Sequence, residues 1–160
     1  MKKILILVEG ETEKRLVATL NLLGKVQIIN LWQKPVSKII PRIKEDIVII
    51  IYDADTLDQI DFFKKNLNTL QKHNIKFYLV QQTHNLEDEI IACSKCKKIQ
   101  EVFNTQGIRD FKSEWLKCQN LSKKLEDINF QKSKLWNGSL IAPLQSWGSC
   151  KKAFNDLKTK

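Results

Sequence analysis

Three acidic groups carry the chemistry open to this chain. The stretch LILVEGETEK, Leu5 to Lys14, runs from apolar residues straight into Glu9, Glu11 and Glu13, with Gly10 among them. Further on, IIIYDADT ends a second apolar run in Asp53 and Asp55. A third apolar run, IKFYLVQQ, leads through THN to Glu87, Asp88 and Glu89. Carboxylates gathered in one place repel one another unless something positive sits among them. Oxygen-only donors suit a hard cation. Mg²⁺ is usually held by one or two carboxylates, waters and substrate phosphate, and Mn²⁺ is the alternative ion. Side chains two apart on a strand point the same way, so Asp53 and Asp55 suit such an ion as a pair. Each acid alone also has a simpler reading. Glu11, Glu13, Glu87 and Asp88 fit the first turns of helices, where negative charge complements the macrodipole. Asp53 or Asp55 fits the cap of a following helix. Capping does not account for both Glu9 after one buried strand and an Asp pair after another.

The elements that must position these groups follow from the apolar pattern. Residues 3–8 are a continuous apolar run, as in a strand buried on both faces. Leu16, Val17, Leu20 and Leu23 share one helical face, and Gly24 stands where a helix C-terminal glycine belongs. VQIIN, 26–30, reads as a second strand, and 35–43 as a helical turn or loop around Pro35 and Pro41. DIVIIIY, 46–52, is the strongest strand, and Ile60, Phe63, Leu67 and Leu70 give an amphipathic helix over 57–73. Residues 75–82 form a fourth strand, and a helix follows with Asn85 as its N-cap. Strands alternating with helices predict an α/β fold with a parallel sheet of about four strands between helices. In a parallel sheet functional groups gather at the carboxyl ends of strands, so all three acidic groups belong on one edge. Beyond about residue 100 the pattern is helical and less regular. SEWLKCQNLSKKLEDI carries Trp115, Leu116, Leu121, Leu125 and Ile128 in that pattern, and the tail from Leu135 to Cys150 has no clear assignment. The reading is one compact unit, a domain over 1–100 with a basic helical extension over 101–160 packed on it.

Composition narrows the partners. A chain of 160 residues, 42% hydrophobic and 28% charged, has the balance of one globular domain with a real core. No apolar run is long enough to span a bilayer, and the five apolar residues before Glu9 are too few for a signal sequence, so the expectation is a cytoplasmic protein without a membrane partner. Residues 1–90 carry 13 Lys and Arg against 12 Asp and Glu, while residues 91–160 carry 14 against 6. A basic surface beside clustered acids suits a nucleic-acid partner, because neutralising phosphates gives affinity independent of base sequence. CSKC, with Cys93 and Cys96, is at most half of a zinc site and has no second pair; the two also fit i and i+3 on one helix. The cysteines read as reduced thiols.

The combination of ILVEG, with Glu9 and Gly10, and IIIYDAD, with Asp53 and Asp55, in that order and each at a strand end, resembles the Toprim domain of primases, topoisomerases and OLD-type and small nucleases. The resemblance covers about residues 3–100. It implies a Toprim-like fold. Glu9 would serve as a general acid or base or as a metal ligand, and Asp53 and Asp55 would hold Mg²⁺. Gly10 would let backbone or phosphate come close. EGETE looks most like the OLD-like and RloB-like branches, which implies Glu13 as a further metal ligand and Glu87, with Asp88 behind it, as the acid after the fourth strand. A catalytic lysine is implied for some OLD-like sites; Lys95, Lys97 and Lys98 are near in sequence. The chain departs from primase-type members in having no glycine soon after DAD, and it has no strand-passage tyrosine module. No G-x-x-x-x-G-K-[ST] occurs, so an OLD-like activity would use a partner protein such as an ATPase or run without ATP. Phage defence, the role of some RloB-like relatives, is implied by the resemblance alone.

The function expected is therefore a Mg²⁺-dependent nuclease. Glu9, Asp53 and Asp55 would be its catalytic groups, Glu9, Glu13, Asp53, Asp55 and Glu87 its metal ligands, and Lys95, Lys97 and Lys98 would bind the nucleic-acid backbone. The alternative is a Toprim-like module that binds nucleic acid or a partner protein without turnover. His84 is placed to assist proton transfer, although a single loop histidine reads first as structural. A receiver-like domain ranks last, since its acid pair follows strand one.

Overall fold

A computed structural model describes all 160 residues. Four strands, β1 (Ile4–Val8), β2 (Lys25–Ile28), β3 (Ile47–Asp53) and β4 (Phe77–Gln82), form one sheet in the order β2-β1-β3-β4. Every pairing is parallel, with Leu5 opposite Lys25, Ile4 opposite Ile47 and Asp53 opposite Gln82. The expected α/β fold with a four-stranded parallel sheet is the one observed.

Both faces of the sheet are buried, which explains the unbroken apolar runs. On one face Ile6, Val8, Ile49, Ile51 and Val80 pack under α1 (Glu11–Thr19), α3 (Leu86–Cys93), α4 (Ile108–Lys117) and α5 (Leu121–Asp127). On the other, Leu5, Leu7, Val48, Ile50 and Leu79 pack under α2 (Ile60–Lys72) and the two 3₁₀ turns between Val36 and Arg42. Trp32 stacks on Phe63 at 4.4 Å, with Tyr52 4.8 Å from Phe63. No helix is long and apolar enough to cross a membrane.

Several boundaries differ from the sequence reading. The first helix ends at Thr19, a turn before Gly24, because Asn21 adopts φ 54° and turns the chain into the left-handed region. Gly24 serves the start of β2 instead. Its φ is 152°, and a Cβ there would lie 3.0 Å from the carbonyl oxygen of Ile4. The helix after Asn85 stops at Cys93, where Ser94 is extended, so Cys93 and Cys96 do not share a helix. SEWLKCQNLSKKLEDI is two helices, broken at Cys118–Asn120, with Asn120 accepting from Lys123 N–H to start the second.

The unassigned tail is a wrap. Trp136 is buried on the α1/α3 face. Leu140, and Leu144 and Trp147 along a 3₁₀ stretch over Ala142–Cys150, are buried on the α2 face. Lys151 then bridges Leu79 in parallel and Lys152 N–H donates to the Leu79 carbonyl, covering the outer edge of β4.

Candidate metal and phosphate site

The carboxyl ends of β1 and β3 lie side by side in the sheet, and the residues just past them meet. Asp53 N–H donates to Glu9 Oε1 at 3.1 Å. Asp53 is the last residue of β3 and continues the face of Ile49 and Ile51, toward α1 and α3. Gln82, its register partner at the end of β4, donates from Nε2 to Asp53 Oδ1 at 2.6 Å. Gln82 is fully buried, and its Oε1 has no hydrogen-bond partner.

Gly10 caps α1 in extended backbone, with no side chain to satisfy the first N–H groups. Glu13 folds back over it: the carboxylate accepts from Thr12 Oγ1 at 3.0 Å and lies 3.3 Å from where a Gly10 Cβ would be. Glu13 is buried, whereas Glu11 points to solvent. On α3, Asn85 caps the first turn through Asp88 N–H, as the sequence predicts. Glu87 is buried, Asp88 and His84 are exposed. Glu89 takes a structural place, accepting from Thr83 N–H at 2.9 Å and Trp136 N–H at 3.1 Å. Asp55 lies beyond the end of β3, exposed, and accepts from Thr56 Oγ1.

These acids feel one another. Burial, then the charges of Asp53, Glu13 and Asp55, push the Glu9 carboxyl up to about 8, against the opposing pull of Asp53 N–H. Burial, then the charge of Glu13, push Asp53 up to about 7; the Gln82 hydrogen bond opposes this, and Asp55 and Glu87 add to it. The structure thus gathers Glu9, Glu13, Asp53, Asp55 and Glu87 into one electrostatic cluster, with Glu11 outside it. It does not converge three of them on a point: no three His, Cys, Asp or Glu side chains are arranged to hold a metal ion.

The cation against the cluster is Lys112, on α4, with Nζ 3.4 Å from Glu87 Oε1. That contact is an ion pair without hydrogen-bond geometry, so the buried Oε1 stays without a hydrogen-bond partner. Lys95, Lys97 and Lys98 are exposed and follow the far end of α3. Six residues of helix run from Glu87 to the end of α3 at Cys93, about 9 Å at 1.5 Å per residue. Lys95 N–H bonds to the Ile128 carbonyl, beside α5.

Sequence reasoning missed Gln82 and Lys112. Gln82 had a signal: two glutamines closing a strand buried on both faces need amide partners there. Lys112 had none, since only tertiary packing brings α4 to α3. Cys93, buried behind Glu89, has its thiol pushed up to about 12 by burial and by the Glu89 charge, and all four cysteines are free. No family model, curated protein or solved structure matches the chain.

Proposed function

We propose that the chain is a Toprim-like, metal-dependent phosphodiesterase that cuts nucleic acid at the Glu9/Asp53 edge of the sheet. The observation that carries this reading is the contact between Glu9 and Asp53 across neighbouring strand ends, where burial, then the charges of neighbouring carboxylates, raises both carboxyls well above their ordinary range. The donor set fits Mg²⁺ or Mn²⁺. It is all oxygen, it runs from buried Glu13 and Glu87 through half-buried Glu9 and Asp53 to exposed Asp55, its repulsion lacks an internal cation beyond Lys112, and Gln82 Oε1 and Glu87 Oε1 are without hydrogen-bond partners. Glu9, Asp53 and Asp55, with Glu13 and Glu87 behind them, would hold the ion. A divalent ion there supplies Lewis-acid stabilisation of charge on a phosphoryl oxygen.

The chain's own groups do the rest. Gln82 fixes the rotamer of Asp53, and Asp53 N–H orients Glu9. Glu9, with a carboxyl near 8, is suited to take or give a proton at neutral pH. Lys112 offers its charge to Glu87 or to an incoming phosphate. Gly10 has no side chain, and the Glu13 carboxylate takes the space a Cβ would border, 3.3 Å from it.

A second reading, a module that binds without turnover, has one observation in its favour. Glu9 Oε1 and Asp53 Oδ1 are already engaged by protein donors, and no three acids converge. Cleavage assays on single- and double-stranded DNA and RNA, with Mg²⁺ or Mn²⁺, separate the two. The proposed enzyme cuts, stops with EDTA, and loses about a hundredfold or more with Asp53→Asn or Glu9→Gln. Cutting that survives both chelation and Asp53→Ala refutes the metal site. Binding unaltered by Asp53→Ala, with no cutting of any substrate, establishes the binding module instead.

A further inference from the structure

The parallel sheet places every strand start on one edge, and that edge is basic. Lys2 stands just before β1, Lys25 opens β2 and Lys76 immediately precedes β4. The returning C-terminal segment brings Lys152 and Lys158 to the same edge. Three neighbouring cavities, of about 500, 380 and 420 Å³, run along it. The first two share Lys2 and Ile4, and the last two share Tyr78 and Lys152, so they form one trough.

We infer that this trough binds single-stranded nucleic acid, at the end of the sheet opposite the carboxylates. Its rim is cationic and uncompensated. None of these five lysines takes part in either of the protein's two ion pairs. The acids that line the trough are Glu45 and Asp156, and each already accepts a backbone N–H, from Lys44 and Ala153. Its floor is apolar and aromatic, with Ile4, Ile47, Ile49 and Leu157 around the half-buried ring of Tyr78. Lys76 Nζ and Lys152 Nζ lie 5.5 and 5.0 Å from that ring's centroid, held by the π face rather than by an acid. A single strand suits both parts, with phosphates drawing Lys76 and Lys152 off the Tyr78 ring and a base taking their place on it. A duplex hides its bases, and an anionic membrane offers charge with nothing to stack.

The inference shares a nucleic-acid partner with the proposed function and rests on that part of it, not on the carboxylates. β3 spans seven residues from the trough to Asp53, about 20 Å at 3.3 Å per residue. A strand engaging both ends would therefore have to span about 20 Å.

The test is fluorescence anisotropy of the full chain with a labelled single strand of about 20 nucleotides, in EDTA, over about 50 to 200 mM salt. Lys2→Gln/Lys76→Gln/Lys152→Gln should bind more weakly, with the slope of log K against log salt shallower by about 2, or 0.7 per lysine. Lys95→Gln/Lys97→Gln/Lys98→Gln, none of which lines the trough, should change the slope less. Tyr78→Leu should weaken binding and leave the slope unaltered. An unchanged slope in the trough variant overturns the inference, as does an equal loss in the two triple variants. Lysine-dependent binding to phosphatidylserine vesicles without binding to the oligonucleotide also overturns it. A wild-type protein that binds through the trough yet never cuts leaves the inference standing and refutes the nuclease.

Discussion

Glu9→Gln tests the acidic cluster most directly, because it removes a charge and keeps the oxygen that accepts Asp53 N–H. The Glu9 carboxyl stands at about 8 against an ordinary 4.5. One pH unit of such a shift is about 1.4 kcal/mol, so holding Glu9 ionised in the folded chain costs on the order of 4–5 kcal/mol relative to the unfolded one. The sign follows from proton counting. Between 4.5 and about 8 the folded protein keeps a proton that the unfolded chain has lost. Stability is therefore full below that window, falls as pH rises through it, and has lost this contribution completely above it. Asp53, raised from 3.8 to about 7, acts in the same direction over a lower window. Its charge is one cause of the Glu9 shift, so the two penalties overlap and are not summed.

Urea denaturation in EDTA at a series of pH values measures this. Glu9→Gln should be more stable than wild type by about 2–4 kcal/mol near pH 9, and the two should coincide near pH 4.5. Such a difference is a large part of the 5–15 kcal/mol typical of a domain, so it is readily resolved. Added Mg²⁺ should restore wild-type stability at the alkaline end and affect the variant less. A variant no more stable than wild type near pH 9, with the pH dependence unaltered, refutes the reasoning. Glu9 would then carry no repulsion, and the argument for a cation would lose its basis.

Two further substitutions probe the surroundings of the cluster. Lys112→Gln leaves the buried Glu87 carboxylate without its cation and should destabilise the fold by about 1 kcal/mol at neutral pH, a modest figure because Lys112 is half exposed; Lys112→Gln/Glu87→Gln should recover the loss in the same urea titration. Gly138→Ala puts a Cβ 2.6 Å from Thr83 Oγ1, beside the loop that leads to α3, and should cost about 1–3 kcal/mol in thermal or urea unfolding, with partial relief in a Thr83→Ala background.

The acids were legible because their placement is local. Glu9 and Asp53 each close an apolar run, and a run buried on both faces announces where its strand ends. Once strands alternate with helices the sheet is parallel, and their ends share an edge without any long-range information. Asn85 was legible for the same reason, as a cap is written within one turn. The shortened first helix was missed because Leu20 and Leu23 fit the helical period, while the backbone of Leu22 and Leu23 pairs with residues 158 and 159 at the far end of the chain. The tail failed similarly. Trp136 and Trp147 lie on opposite faces of the sheet, so no single period describes the segment joining them.

The same topology explains why the two ends of the sheet differ so sharply in charge. A parallel sheet sorts residues by their position in each βα unit, and residues at equivalent positions become neighbours in space. Acids placed after strands therefore accumulate at one edge, and lysines placed before strands accumulate at the other. A structural protein gains nothing from the first accumulation, since Glu9 and Asp53 raise each other's energy across the strand ends. Helix capping does not require it either: Glu9 precedes the N-cap of α1, and Asp53 still belongs to β3. The lysines at the opposite edge outnumber the acids beside them, Glu45 and Asp156, and the sheet itself holds them about 20 Å from the Asp53 cluster. Charge only partly paired at both ends of one sheet suits the metal and phosphate chemistry proposed above, and it is what a purely structural α/β domain would suppress.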